Sequence, residues 1–332
     1  MIAAARLVAF LKLGRPHFLL GGFLLFALGA ALAAVHGAII DWPRYAWAQG
    51  VVTAAQWMTH YSNDYFDLEA DRANSTPTRW SGGSRVLVSG AVAPRTALLA
   101  SLTLGVAAII AALGLALSPA SPRFVLPLSL LIIALSWCYS APPLRLLSRG
   151  LGEATTALVV TLLTPLLGFY AQAGVWRSPL LLACFPLICL QFSMLLTIEL
   201  PDAAGDAAQG KQTLVVRYGA RWASRAIAGL LLAGYGSLPL LFLAGLPIGL
   251  VGLAALLAPL AAWQAIRLWR GAFKDPKRWE GLALCSVALL VTTTIAELSG
   301  AVLTLSKLAQ QRGELTPAIL EITEEAVAGR AR

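Results

Sequence analysis

The sequence predicts an all-α, polytopic membrane protein: a bundle of nine transmembrane helices with a cytoplasmic N-terminus. Three observations carry that prediction. Of 332 residues, 58% are hydrophobic and only 12% charged, against about 25% charged in a soluble globular chain. Apolar runs of about 20 residues recur along the chain, the length a helix needs to cross the hydrocarbon layer. The basic residues alternate between rich and poor connections, as they do when one face of a bundle lies inside the cell. Strands cross a membrane only as a closed barrel with short alternating segments, and the sequence has no such pattern.

The first span covers residues 17–36. Arg6, Lys12 and Arg15 precede it, which mimics a secretory leader, but no small-residue cleavage site follows, so it reads as a retained helix. The second, 43–62, runs into a polar segment. The third and fourth cover 95–118 and 123–139, the fifth and sixth 151–172 and 178–200. The seventh, 222–245, turns at Gly245-Leu246-Pro247 into the eighth, 248–270, and the ninth covers 279–305. Residues 1–305 thus form a single transmembrane domain. A polar tail, 306–332, follows, with Thr316 to Ala328 predicted as a short surface helix. Two connections, 63–94 and 201–221, are long and polar, and loops of that kind are rarely plain tethers.

Orientation follows from the charges. The N-terminal segment and the connections after spans two, four, six and eight hold 18 Lys and Arg, and the opposite connections hold 3. The N-terminus and both long loops therefore belong in the cytoplasm. The formal charge of +9 is then topology, which argues against a nucleic-acid partner. Cys138, Cys184, Cys189 and Cys285 lie in or beside apolar runs without metal-ligand spacing and read as packing residues.

The chemistry concentrates at two span ends. The second span continues into Asn63-Asp64-Tyr65-Phe66-Asp67-Leu68-Glu69-Ala70-Asp71. If the helix goes on, Asp64, Asp67 and Asp71 stack on one face, and three stacked carboxylates need a cation. The sixth span ends in Glu199-Leu200-Pro201-Asp202-Ala203-Ala204-Gly205-Asp206, where Asp202 and Asp206 again share a face. Oxygen ligands in pairs suit Mg²⁺, which typically takes one or two carboxylates plus substrate phosphate. Acids clustered at one membrane face, with none in a relay through the midplane, argue against a transporter.

The ordered set is similar to the motifs of the UbiA superfamily of intramembrane prenyltransferases. Asn63-Asp64-x-x-Asp67-x-x-x-Asp71 resembles the first motif. Asp202-x-x-x-Asp206 followed by Gly210-Lys211-Gln212-Thr213-Leu214 resembles the second. Tyr139-Ser140-Ala141-Pro142-Pro143 resembles the segment after the fourth helix. The resemblance covers nearly the whole chain except the tail. It implies an integral membrane enzyme of a bacterial or archaeal cell, with its active site facing the cytoplasm. Its substrates would be a prenyl diphosphate and an aromatic acceptor, drawn from or returned to the lipid bilayer. Asn63, Asp64, Asp67 and Asp71 would hold one Mg²⁺ and Asp202 and Asp206 a second. By their positions beside the motifs, Arg15, Arg72, Arg145 and Lys211 could share the diphosphate charge or serve as positive-inside anchors, and Tyr139 and Glu153 could contact the acceptor or its proton or be structural packing residues.

The segment Ser81-Gly82-Gly83-Ser84-Arg85 through Gly90 would then close over the site as a lid. Its Gly-Gly-Ser, with Gly150-Leu151-Gly152-Glu153, looks more like the 1,4-dihydroxy-2-naphthoate branch, which points to menaquinone biosynthesis. 4-Hydroxybenzoate, a tetrapyrrole and a glyceryl phosphate ether lipid stand as alternative acceptors. His60, one turn before Asp64, reads as a satisfied core or interfacial histidine, with a site-facing proton acceptor as the alternative; Gln191 reads as an interhelical hydrogen-bonder, and Glu297 as a structural acid satisfied by Thr293.

Overall fold

The computed structural model describes residues 2–311, with side chains from Arg6 onward. The predicted helix Thr316–Ala328 lies outside the described residues. The described residues are all-helical: α1 (Ile2–Leu13), α2 (Pro16–Val35), α3 (Trp42–Phe66), α4 (Leu68–Ala73), α5 (Pro94–Leu117), α6 (Val125–Cys138), α7 (Gly152–Leu158) and α8 (Thr164–Ala173) form the first half. The second half contains α9 (Ser178–Ile198), α10 (Ala203–Ala208), α11 (Leu214–Gly236), α12 (Leu238–Leu243), α13 (Ile248–Ala255), α14 (Ala258–Trp269) and α15 (Pro276–Gln311).

Every predicted span falls on helix, but not every helix meets the ordinary test for crossing a membrane. Six helical stretches are long and apolar enough, or seven if α13 and α14, bent by 40°, count as one broken span. Two predicted spans fall short. The α3 helix carries Gln49, Gln56, Asn63 and Asp64, and α6 has only 14 residues. Several boundaries differ from expectation for local reasons. The α11 helix begins at Leu214 rather than 222: the chain is already helical ahead of the predicted span, and the non-helical Gly219 kinks it there. A π-turn, Val159–Leu163, joins α7 to α8, just ahead of Pro165, which cannot donate to the ladder. The last helix runs past the predicted boundary at 305 to Gln311. The α1 helix was not foreseen; Tyr61 Oη donates to the carbonyl of Phe10 at 3.0 Å and ties it to α3.

The bundle packs in two lobes. One core gathers α9, α11, α13, α14 and α15 around Leu187, Leu231, Leu250 and Leu289. The other gathers α3, α5, α6 and α8 around Val51, Ala108, Ile132 and Leu167. The α2 helix serves both, with Leu28 in the first and Phe26 in the second. It lies against α8 through small residues: a Cβ on Gly29 would stand 2.7 Å from the Pro165 carbonyl carbon, and Gly168 abuts the Phe26 carbonyl. Close helix approach through small residues is how bundles gain contact where lipid removes the hydrophobic drive. Leu99, Leu117 and Leu243 point outward, exposed, as suits a lipid-facing surface. Glu297 corrects one expectation. Thr293 hydrogen-bonds Tyr235 Oη at 2.6 Å instead, and neither carboxylate oxygen of the buried Glu297 has a partner among the described residues.

Candidate active site

The first acidic motif sits where α3 gives way to α4. The helix breaks for one residue at Asp67. The backbone ladder nevertheless continues, since the Asp67 N–H donates to Asn63 O and the Asp71 N–H to Asp67 O, each at 2.9 Å. The predicted spacing therefore survives. The second motif is built the same way: the Asp206 N–H donates to Asp202 O at 2.9 Å across the first turn of α10. The two short helices pack closely, with Gly205 against Asn74, where a Cβ would stand 3.1 Å from the Asn74 Cα.

Two cations and a loop knit the motifs together. Arg15, in a left-handed turn (φ 45°) between α1 and α2, places its guanidinium 2.6 Å from Asp64 Oδ1. The Lys211 Nζ lies 3.0 Å from Asp67 Oδ2 and 3.1 Å from Asp206 Oδ1, bridging the first motif to the second. Asn63 Nδ2 donates to Asp67 Oδ2 at 2.6 Å and to Ser140 Oγ at 3.1 Å. The segment 81–90 lies over the acids, as expected of a lid. The Gly82 N–H donates to Asp202 Oδ2 at 3.1 Å. The Ser84 N–H and hydroxyl both donate to Asp64 Oδ2, and the Arg85 guanidinium donates to the Asp71 carbonyl.

Like charges crowd here. Burial, then the neighbouring Asp64 and Asp67, push the Asp71 carboxyl up to about 8, against the pull of Arg15 and Lys211. Burial raises Asp202 to about 6, opposed by the Gly82 N–H. Burial raises Asp206 as well, with Lys211 opposing. Burial works against the Lys211 charge, but Asp67 and Asp206 outweigh it and raise its pKa above the usual lysine range. Such carboxylates are favoured in their charged form only beside a cation.

Not all predicted residues meet. Arg72 is exposed and donates to Glu69 at 2.6 Å, one turn away on its own helix, so adjacency to Asp71 in sequence does not bring it to the cluster. Arg145, held in a left-handed turn (φ 46°) after the double proline, is exposed and makes no ion pair among the described residues. Glu153 anchors structure: its Oε1 accepts the Leu214 N–H at 2.9 Å and so fixes the start of α11. Nor do the first-motif acids converge on one point. Asp64 turns to Arg15 and Ser84, and Asp67 to Asn63 and Lys211. Among the described residues, no three His, Cys, Asp or Glu side chains gather closely enough to hold an ion alone. The oxygen-rich pairs still fit an ion that draws its remaining ligands from water and phosphate.

A cavity of about 410 Å³ opens beside the acids. Arg15, Asn63 and Tyr139 stand at its polar end, and Leu25, Val52 and Leu290 line its depth. From Asn63 to Val52 its α3 wall is about 16 Å long at about 1.5 Å per residue. The π-turn contributes Val159 and Val160, a use typical of such turns at functional sites. Gln191 faces this cavity. So does His60, whose ring stacks on Phe18 at 5.7 Å and whose buried Nε2 has no partner among the described residues. Sequence reasoning alone misses Asn74. Its Nδ2 donates to Asp202 Oδ1 at 2.6 Å, while its Oδ1 accepts the Thr76 N–H at 2.9 Å. Only the Asn-Ser-Thr-Pro turn signature hinted at a fixed bend there. Arg79 and Trp80, just ahead of the lid and also unforeseen, line the cavity mouth with His17.

Comparison with known proteins agrees with this geometry. The chain is 33% identical over 283 residues to a digeranylgeranylglyceryl phosphate synthase of Ignicoccus hospitalis, covering 80% of this chain and 86% of that one. It is 30% identical over 217 residues to a protein of the same name in Natronomonas pharaonis, covering 64% and 70%. Among solved structures, a UbiA homologue from Archaeoglobus fulgidus bound to GPP and Mg²⁺ superposes with a TM-score of 0.62 at 18% identity, covering 90% of this chain and 99% of that one. A digeranylgeranylglyceryl phosphate synthase structure gives the same TM-score at 17% identity, covering 89% and 98%. The family model described as the UbiA prenyltransferase family matches residues 23–293, and the chain belongs to that family: it is an integral membrane prenyltransferase.

Proposed function

We propose that this enzyme transfers a prenyl group from a prenyl diphosphate to the free hydroxyl of a glyceryl phosphate ether lipid. The observation that carries the acceptor is the 33% identity, over four fifths of the chain, to a digeranylgeranylglyceryl phosphate synthase. This replaces the naphthoate acceptor expected from the Gly-Gly-Ser of the lid. Those glycines have a nearer cause: Gly82 and Gly83 hold φ values of 73° and 72° and pack on Asn74 and Asp71. They serve lid closure and say nothing of the acceptor. The cavity mouth supports an anionic acceptor, since Arg79 lines it with His17 and makes no ion pair among the described residues. The orientation that goes with this reading is nine spans, N-terminus and site at the cytoplasmic face.

Asp64, Asp67 and Asp71 with Asn63, and Asp202 with Asp206, would hold Mg²⁺. When bound, that ion neutralises the diphosphate and stabilises the charge building on the leaving oxygen. Arg15 and Lys211 are positioned to donate to phosphate oxygens. The lid excludes water from the allylic carbon as the C–O bond breaks and its electron pair leaves with the diphosphate. The acceptor hydroxyl oxygen then bonds that carbon and loses its proton, for which His60 Nε2 is the unpartnered acceptor facing the cavity. Tyr139 bounds the polar end.

The test is turnover of the purified protein in liposomes with geranylgeranyl diphosphate. Geranylgeranylglyceryl phosphate, 1,4-dihydroxy-2-naphthoate and 4-hydroxybenzoate are supplied separately, and products are detected by mass. A diether product that vanishes with chelator supports the reading. A prenylated ring with no diether overturns the acceptor and leaves the family chemistry in place.

A further inference from the structure

A second cavity, of about 240 Å³, shares no residue with the first. It lies where α11 and the end of α14 face one another. Its wall carries Arg221, Arg225, Arg270 and Lys274, together with Ser224 and Trp269. Arg221 and Arg225 are one turn apart on α11. After α14, Gly271 takes a left-handed turn (φ 90°), which folds the Lys274 stem back to within 3.7 Å of where a Gly271 Cβ would be. The Arg225 guanidinium lies 5.8 Å from the centre of the Trp269 ring, and Ser224 Oγ holds the Leu268 carbonyl at 2.8 Å.

None of these four cations forms an ion pair among the described residues. The nearest acid in sequence, Asp275, is occupied by Arg278 at 3.2 Å. Charges that only set topology need not converge. Here four meet around one cavity at mutual electrostatic cost, which an anion would relieve. The surroundings are those of a membrane interface. Trp269 is 70% exposed, and exposed Tyr218 and Trp222 stand together on α11 with ring centres 4.8 Å apart. Exposed aromatic rings mark headgroup depth. Basic pockets between helices at that depth suit phosphate headgroups.

We propose that this pocket binds the phosphate headgroup of an anionic membrane lipid, with the lipid's chains lying outward along α11 and α14. The ligand chemistry is a phosphate monoester or diester, and the source is the bilayer. The proposal does not depend on the identity of the acceptor.

The experiment uses the full-length protein in neutral detergent, probed with dioleoyl phosphatidic acid, dioleoyl phosphatidylcholine and inorganic phosphate. Lipid adducts are counted by native mass spectrometry and binding is followed by thermal shift. One variant combines Arg221→Gln with Arg225→Gln, a second Arg270→Gln with Lys274→Gln. A control combines Lys12→Gln with Lys277→Gln, which removes equal charge from exposed positions outside the cavity. All six side chains are exposed, so folding should survive. The expected result is a phosphatidic acid adduct on the wild type, at least tenfold preferred over phosphatidylcholine. Each pocket variant weakens it at least tenfold, and the control leaves it intact. Equal adducts on the wild type and both pocket variants would overturn the site. Binding of inorganic phosphate with no lipid adduct would overturn the lipid assignment.

Discussion

Gly83→Ala should disable the lid, and Gly90→Ala should not. Both glycines hold φ 72°, so an added Cβ costs each about 1–2 kcal/mol of left-handed strain. They differ in surroundings. Nothing lies within 4 Å of a Cβ on Gly90, whereas one on Gly83 would stand 2.6 Å from the Asp71 Cγ. Ordinary contact begins near 3.4 Å, so the lid and the Asp71 carboxyl must separate by at least 0.8 Å, the difference between the two values. A displacement of about 1 Å at a catalytic constellation costs on the order of 100-fold in rate. With equal strain subtracted by the Gly90 variant, Gly83→Ala should turn over on the order of 10- to 100-fold more slowly. Thermal unfolding of the two should stay similar. The assay is initial-rate diphosphate release in liposomes at saturating prenyl diphosphate. Equal turnover by the two variants would refute the reasoning that the lid seats on Asp71.

Lys211→Met should remove about 3–5 kcal/mol of stability, because it leaves Asp67 and Asp206 facing one another with side chains only 11% exposed; chemical denaturation measures it, and an unshifted midpoint would sink the bridging role. Asn74→Ala should cost about 1–3 kcal/mol by stripping Asp202 and the Thr76 N–H of a partner, with Asn74→Asp worse because it sets a carboxylate against Asp202. Gly29→Val should yield no monodisperse protein on size exclusion, whereas Gly229→Val, with nothing within 4 Å, should purify normally. Arg72→Gln should leave turnover unchanged, since its partner Glu69 is itself 68% exposed and an exposed pair contributes about 0.2–1 kcal/mol; a tenfold loss of turnover would return Arg72 to the site.

The acids were legible because their chemistry is written in a local period. Asp64, Asp67 and Asp71 share a face whenever the backbone is helical, and the one-residue break at Asp67 did not spoil the register. The seating of Asp202 was not legible, because its partner Asn74 is 128 residues away, and no local pattern encodes a contact of that range. Adjacency misled in the opposite direction. Arg72 and Arg145 stand beside motifs in sequence, yet a helix turns the side chain of residue i+1 about 100° from residue i, and a left-handed turn directs Arg145 outward. Lys211 follows Gly210 in a loop and was legible only through resemblance, although it turns out to be the residue that joins the two motifs.

The lid glycines illustrate a more general limit. In the sequence Gly82 and Gly83 look like a mark of the acceptor, but each meets a demand that any acceptor would impose equally. Two successive left-handed residues are needed to bring the Gly82 N–H to Asp202 and the Ser84 N–H and hydroxyl to Asp64, and side chains there would strike Pro77 and Asp71. A residue fixed by the closing of the site reports on the common donor half-reaction. If the proposed function holds, residues that choose the acceptor must instead touch what differs between acceptors, and the side chains placed to do so line the cavity: Arg79, Trp80, His17, His60 and Gln191. Their positions come from the segment before the lid and from α2, α3 and α9, so they form no motif along the chain. In this chain the acidic motifs are written locally in the sequence, while the side chains that line the cavity around them come together only in the packed bundle.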